Sequence, residues 1–543
     1  MTFLLIAAAS LLAASPGTSR AASSTSSIGL AERIYREGVL PSGKPLQGVR
    51  AGVEVAGSDA ACVQCHRRSG MGMAEGGRIV PPITGQFLYR PRATTLAQMD
   101  SAHSRGPDLA HALGRDRPRP PYSDASLLTA LREGVGPGGQ PLEELMPRYR
   151  LDGADARLLL DYLKQLSYHW SPGVSRESIQ LATVIAPGVD PLRRKALLDV
   201  LRAFVGVHNS SAKLEKLRDR NYSGASVNTY RSWQLHVWEL AGPPEGWEAQ
   251  LAALYRRQPV FALLSGLSEG GWGPVQHFSE RLGIPCWFPI VDLPEQDTGF
   301  YTAYFNGGVA LEAAVLAHQL REAQPARVVQ VSGPDLAERG AAEALRRALE
   351  GSPLRLEDRT LQRVDGPLLA HALSDLRSGE VVVLWLRSRE LAALSELSPP
   401  PVPAYFSTTL TSGENAPFPG QWKRGARLVY PFELPDKRRA NLARFHAWLQ
   451  TRNLPLVDER TQADAYLASM LLSQKLDEML ESLYRDYLVE RAEAFLGERV
   501  TTGTYHSLGL GPGQRFASKG AFIARFASPE GRTLVAESNW IVP

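Results

Sequence analysis

In Cys62-Val-Gln-Cys65-His66 two thiols are separated by two residues and an imidazole follows the second directly. Thiols at this spacing add to the vinyl groups of a haem as thioethers, and the histidine after them ligates the iron. Zinc would need four protein ligands, and the one remaining cysteine, Cys286, lies far downstream. A thioredoxin-like dithiol should open a helix after a strand, whereas Cys62 follows Gly-Ser-Asp-Ala-Ala, a stretch without β character. The segment predicts one covalent haem c, bound by Cys62 and Cys65 and ligated by His66.

A haem iron that only carries electrons is six-coordinate, so a second axial ligand is expected downstream. Met146, in Glu-Leu-Met-Pro-Arg-Tyr, supplies a soft, neutral thioether that favours Fe(II) and raises the reduction potential relative to a second imidazole. Pro147 stiffens the loop that presents it. Met71 and Met73 follow His66 too soon to reach the opposite haem face, and His103 and His111 sit in a polar insertion where a histidine is usually solvated.

These residues need a scaffold, and the sequence predicts its helices. From Leu151 to Leu166 apolar residues recur at helical spacing behind Asp152, a capping residue. Arg36-Glu-Gly-Val-Leu-Pro-Ser-Gly-Lys-Pro-Leu46 is echoed by Arg132-Glu-Gly-Val-Gly-Pro-Gly-Gly-Gln-Pro-Leu142, and in each copy a glycine, Gly38 or Gly134, is placed to stop a helix. Residues 86 to 121 read as an insertion in which Arg105, Arg115, Arg117 and Arg119 alternate with prolines, a solvated loop by composition.

The haem-attachment segment, the Met146-Pro147 loop and the closing helix together resemble a class I cytochrome c. Tyr-Ser-Asp-Ala-Ser-Leu-Leu (122 to 128) and Leu-Arg-Glu-Gly-Val (131 to 135) make the region most similar to cytochrome domains that serve periplasmic dehydrogenases. The resemblance implies an all-α domain with His66 proximal and Met146 distal. It further implies, as partner, a periplasmic dehydrogenase, a quinoprotein being one kind, or a respiratory cytochrome.

Beyond Ser171-Pro-Gly-Val-Ser-Arg-Glu, a polar linker, short apolar runs alternate with helical patterns. Strands are predicted at Ile179 to Ile185, Val260 to Leu264, Ile284 to Phe288, Arg327 to Val331, Val381 to Leu386 and Pro403 to Ser407. Helices are predicted from Asp190, Asp335 and Ser388, which implies parallel sheets covered on both faces. The order and size of these units resemble the type I periplasmic binding proteins, the family that includes branched-chain amino-acid binding proteins. That resemblance implies two lobes closing on a ligand and puts Ser265, Ser268, Trp272, Phe288 and Asp292 near the lobe boundary. These residues suit a small ligand with an aromatic or apolar body and a few polar groups. The region after Pro289 lacks the run of small hydroxyl residues that would receive an amino-acid carboxylate.

The expected organisation is therefore multidomain: a signal peptide at 1–22, an all-α cytochrome c domain at 23–170, a linker at 171–178 and a two-lobed α/β type I periplasmic binding protein domain at 179–543. Leu4 to Ala14 is an apolar run followed by small residues, as in an export signal, although no Lys or Arg precedes it. A periplasmic location is expected, since haem is attached covalently outside the cytoplasm. A net charge of +4 over 543 residues gives no electrostatic case for nucleic acid, and no later segment reads as a membrane span. No Ser-His-Asp order, metalloprotease motif or phosphate loop stands out. The expected role is electron transfer, the second domain docking a partner or sensing a ligand. The alternative is a solute-binding or sensory protein whose haem reports redox state, and Met146 argues against a gas-binding or catalytic haem.

Overall fold

The computed structural model describes residues 27–75, 78–91, 119–219, 230–497 and 503–543. The expected export segment, His103, His111, Arg105, Arg115 and Arg117 lie outside them. The chain divides into two compact units, the first ending at Leu166 and the second running on from Ser167.

The first unit contains, in order, α1 (Ser27–Glu37), β1 (Gln47–Arg50), β2 (Val53–Ala56), α2 (Val63–His66), β3 (Met73–Glu75), β4 (Arg78–Val80), α3 (Gly85–Leu88), α4 (Asp124–Glu133), β5 (Arg148–Tyr149) and α5 (Gly153–Gln165). Its core is helical. Helices α1 and α5 pack on each other, with Ile34 and Leu159 fully buried and the Tyr35 and Tyr162 rings 5.4 Å apart. Asp152 caps α5 by accepting the Ala154 and Asp155 N–H groups at 2.8 Å, satisfying donors that the first turn leaves open. The unit is not all-α, however: β2, β1 and β5 form an antiparallel sheet, and β3 pairs with β4. The departure is local chemistry. Ala51 and Gly52 both take positive φ, at 50° and 80°, which is the two-residue hairpin turn matched to strand twist.

The echoed segments are the same structure built twice. Gly38 and Gly134 both sit in the left-handed region, at φ +66° and +72°. The Leu46 N–H donates to Gly38 O at 2.7 Å, and the Leu142 N–H to Gly134 O at the same distance. Val39 bridges Pro45 as Val135 bridges Pro141.

The second unit begins with β6 (Ser178–Ile185), α6 (Pro191–Asp219), β7 (Ser232–Glu239), α7 (Trp247–Arg257), β8 (Ala262–Leu264), β9 (Leu267–Gly271), α8 (Gly273–Leu282), β10 (Cys286–Trp287), β11 (Ile290–Leu293) and β12 (Thr302–Ala303). These strands make one parallel sheet in the order β11-β9-β6-β8-β10-β12, with β7 beside β6. The second lobe contains α9 (Gly308–Ala323), β13 (Val328–Ser332), α10 (Leu336–Ala348), β14 (Leu356–Thr360), α11 (Gly366–Leu373), β15 (Val381–Trp385), β16 (Ala404–Ser407), α12 (Thr408–Thr411), α13 (Gly420–Lys423) and β17 (Ala426–Tyr430). Then follow α14 (Pro435–Asn441), α15 (Ala443–Gln450), α16 (Glu459–Met479), α17 (Arg485–Leu496), β18 (Phe522–Phe526) and β19 (Leu534–Ala536). The second sheet runs β14-β13-β15-β16-β17-β18-β19, its last two strands antiparallel. The segment at Ser388–Leu394 is a short 3-10 turn rather than the expected helix, because Pro399 and Pro400 close the stretch soon after it.

Helices α16 and α17 return to the first lobe: Trp287 donates its indole N–H to Ala468 O at 2.9 Å, and the Arg485 guanidinium donates to Val260 O at 2.6 Å and Phe261 O at 3.1 Å. Three segments cross between the lobes and bond to one another. Tyr304 exchanges backbone bonds with Arg515 and Ala517 at 2.8 and 3.0 Å, and the Glu433 N–H donates to Thr504 O at 2.9 Å. Residues 171–178 are also held within this unit, the Ser171 N–H donating to Leu483 O and Val174 bridging Ile179.

Candidate functional site

Cys62 immediately precedes α2, and that single turn closes as the His66 N–H donates to Cys62 O at 2.9 Å. The two cysteines are therefore three residues apart on one helical turn, on the same face. Neither is in a disulfide. The Tyr35 hydroxyl donates to Arg67 O at 2.7 Å, anchoring the end of the turn to α1.

His66 is buried, and its Nδ1 lies 3.0 Å from Pro81 O. A carbonyl only accepts, so Nδ1 carries the proton and the Nε2 lone pair is left for a metal. Burial pushes the imidazole down to about 4 against that bond, so it is neutral at neutral pH, as a ligand must be. Burial pushes the Cys62 thiol up to about 12, with the Tyr149 hydroxyl bond opposing. A thiol that does not ionise is a poor zinc ligand and a poor redox nucleophile. These residues fit haem c: a protonated-at-Nδ1 imidazole to ligate iron and two unpaired thiols to take thioether bonds.

Met146 is half-buried against the core cluster that contains Cys62. Its loop is clamped from below: the Arg148 guanidinium donates to Leu142 O at 2.9 Å and Glu143 O at 3.2 Å, and to Met146 O as well. Tyr149, bonded to Cys62, sits three residues further on, and β5 pairs with β1. The fold thus brings the attachment turn and the Met146 loop onto one core. Pro81, Arg148 and Tyr149 were not singled out from sequence. Pro81 carries no local signal, whereas Arg148 and Tyr149 stand beside the Met-Pro pair. Met71 is buried, and Arg119 donates to Leu88 O and Pro120 O and stacks over Tyr122, which makes it a pin for its loop. Among the described residues no group of three or more His, Cys, Asp or Glu side chains is gathered for a metal ion.

A family model for cytochrome c matches residues 49–167. This region is a cytochrome c domain. The family implies covalently bound haem c. Two of the solved structures similar to this chain share a fold with about two thirds of it. One is a branched-chain amino acid ABC transporter protein from Thermus thermophilus with bound valine, at TM-score 0.53 and 11% identity, over 68% of this chain and 97% of that one. The other is a substrate-binding periplasmic protein from Ralstonia solanacearum, at TM-score 0.50 and 12% identity, over 66% of this chain and all of that one. The chain therefore joins a cytochrome c domain to a type I periplasmic binding protein fold. No curated protein sequence matches it.

In the binding-protein fold, all five residues expected at the lobe boundary are buried. Trp272 belongs to the first-lobe core, its indole N–H 3.4 Å from the Cys286 sulfur. Phe288 stacks on Phe305 at 4.3 Å, and the Ser268 hydroxyl donates to Gly271 O at 3.0 Å. The Ser265 hydroxyl is buried without a hydrogen-bond partner, on a backbone with φ at 55°. Asp292 reaches the boundary, where it meets protein. Arg387, which follows β15 in the second lobe, donates to Asp292 Oδ2 at 3.0 Å, to Asp335 at 2.7 Å and to the Glu269 carbonyl. Arg193 of α6 approaches Asp292 at 3.4 Å and Glu269 at 3.3 Å. Burial alone would push the Asp292 carboxyl up, but Arg193 and Arg387 hold it below the usual carboxylate range. The two arginines were not foreseen. Nothing in the residues flanking them marks a partner so far along the chain.

Proposed function

We propose that this protein is a periplasmic electron carrier with one haem c, in which Cys62 and Cys65 hold the porphyrin, His66 ligates the iron through Nε2 and Met146 provides the opposite ligand. The bond from His66 Nδ1 to Pro81 O carries the reading, because it fixes the tautomer that iron needs. When bound, the haem supplies a one-electron Fe(III)/Fe(II) couple. Pro81 orients the imidazole, Arg148 stiffens the loop that offers the thioether, and the apolar core around Cys62 excludes water from the ligand side. A periplasmic dehydrogenase, a quinoprotein being one kind, is the proposed donor and a respiratory cytochrome the acceptor. The proposed parts are an export signal at 1–22, the haem domain to residue 170, a linker at 171–178 and the binding-protein domain at 179–543. Among the described residues no helix is long and apolar enough to cross a membrane.

The contact of Arg387 with Asp292 favours docking over ligand capture at the lobe boundary, because the charged groups facing it already satisfy one another. Protein matured in an exporting host should stay red after acidified-solvent extraction, and its reduced form should not bind carbon monoxide at neutral pH. Extractable pigment would refute covalent attachment, and rapid carbon monoxide binding would refute Met146 as ligand.

A further inference from the structure

A second feature of the binding-protein domain is independent of the haem reading. A cavity of about 50 Å³ lies between the ends of β16 and β17 and the first turn of α16, with Thr408, Phe432, Arg438 and Arg460 in its wall. By water-sized groups it holds roughly four. Two of its acids are spent: Glu414 and Glu459 both pair with Arg438. Arg460 is not spent. Its guanidinium lies 4.5 Å over the Phe432 ring and, among the described residues, makes no hydrogen bond or ion pair within 4 Å, feeling Asp292, Glu312 and Asp464 only at longer range. Across the same cavity the Thr408 hydroxyl, on a residue only 2% exposed, also lacks a partner. Arg460 belongs to the opening turn of α16, a helix of 21 residues whose N-terminal end favours negative charge.

A guanidinium lying over an aromatic ring with its donors unused, in the wall of the same cavity as an unsatisfied hydroxyl, suits a planar anion with two oxygens. We propose that this cavity binds a small monocarboxylate of about two to three carbons, its carboxylate received by Arg460 and the Thr408 hydroxyl. Neither residue is among those expected at the cleft from sequence.

Two buried acids behind the site set its pH dependence. Glu312 of α9 has one carboxylate oxygen bonded to the Thr409 N–H and hydroxyl and the other unpartnered, and it faces Ser407 and Arg460. Asp464 of α16 accepts from the Tyr505 hydroxyl at 3.0 Å, has its other oxygen unpartnered, and faces Arg460, Asp458 and Arg193. Burial pushes both up to about 7, against the opposing pull of these bonds and cations. Ionised, they compete with a bound carboxylate for Arg460, so an anion binds best below pH 7, whereas a cavity built for an amine would show the opposite dependence.

The test is calorimetric titration of the full-length holoprotein with sodium acetate and sodium propionate at pH 6 and pH 8, at constant ionic strength. Sodium chloride and ethylammonium chloride serve as counter-probes. Acetate or propionate should bind at pH 6, about tenfold more weakly at pH 8 if one proton is taken up with the ligand. Arg460→Gln should lose at least tenfold at pH 6. Thr408→Val, a near-isosteric change, should weaken binding in the same direction and serves if Arg460→Gln does not fold. Absence of carboxylate binding, binding unchanged in a folded variant, equal response to chloride, or ethylammonium binding that tightens at pH 8 would each overturn the proposal.

Discussion

Replacing Arg387 by methionine should loosen the lobe boundary by a calculable amount. The substitution keeps most of the side-chain volume and removes the charge that meets Asp292 at 3.0 Å and Asp335 at 2.7 Å. The gross attraction at 3.0 Å is about 5 kcal/mol at an effective dielectric of 20. Desolvation has already been met by burial, so removing one partner leaves Asp292 in the interior with Arg193, at 3.4 Å, as its remaining ion pair and Arg460 further off. Breaking a buried pair in this way costs about 3–5 kcal/mol. For a unit of about 370 residues the unfolding entropy is near 0.8 kcal/mol per kelvin, so its melting transition should fall by about 4–6 °C. Calorimetry on the holoprotein, with haem absorbance marking the first unit's transition separately, reads this shift. Small-angle scattering should show the variant expanding as the lobes part. In a double-mutant cycle Asp292→Asn and Arg387→Met together should cost less than their sum, because each alone strands a charge. A melting temperature within 1 °C of the parent, with unchanged scattering, would refute the latch.

Glu312 and Asp464 are both raised to about 7, above their ordinary values of 4.5 and 3.8, so the folded state holds more protons than the unfolded one. The stability they confer is fully present below about pH 4 and is lost as pH rises through 7. Glu312→Gln should therefore flatten the melting profile between pH 5 and 8 and stabilise at pH 8 by a few kcal/mol. Gly38→Ala should cost about 2–3 kcal/mol or more, because the added Cβ would stand 1.9 Å from Gly57 O. Gly134→Ala should cost less, since the obstruction there is the movable Arg148 guanidinium, but should weaken the Met-to-Fe(III) charge-transfer band because that guanidinium clamps the Met146 loop. Met146→His should abolish the band and lower the reduction potential, as a second imidazole stabilises Fe(III) relative to a thioether.

The two domains differ in how far sequence alone reaches. Haem attachment needs three side chains within five residues, so local spacing carries it, and helix caps such as Asp152 and Asp335 are equally local. The central strands of the second unit were readable for a related reason: Val328–Ser332 and Val381–Trp385 are buried on both faces and so are apolar without interruption. Strand β7 alternates Ser, Trp, Gln, Leu and His at the sheet edge, which dilutes the signal, and the strands of the haem domain are too short for any period to show.

The lobe boundary fails to read for a deeper reason. Ser265, Ser268, Trp272 and Phe288 have the composition of a binding cleft, yet fold into the first lobe's own packing. Composition reports which groups are available; only the three-dimensional pairing reports which remain unsatisfied. At the boundary Arg387, Arg193, Asp292 and Glu269 cancel, drawn from positions that no local pattern connects. At Arg460 the cancellation is incomplete, because neighbouring Glu459 pairs with Arg438. An unpaired guanidinium beside an unsatisfied hydroxyl is therefore better evidence for a ligand than the aromatic residues that first suggested one, and the carboxylate titration tests that inference directly.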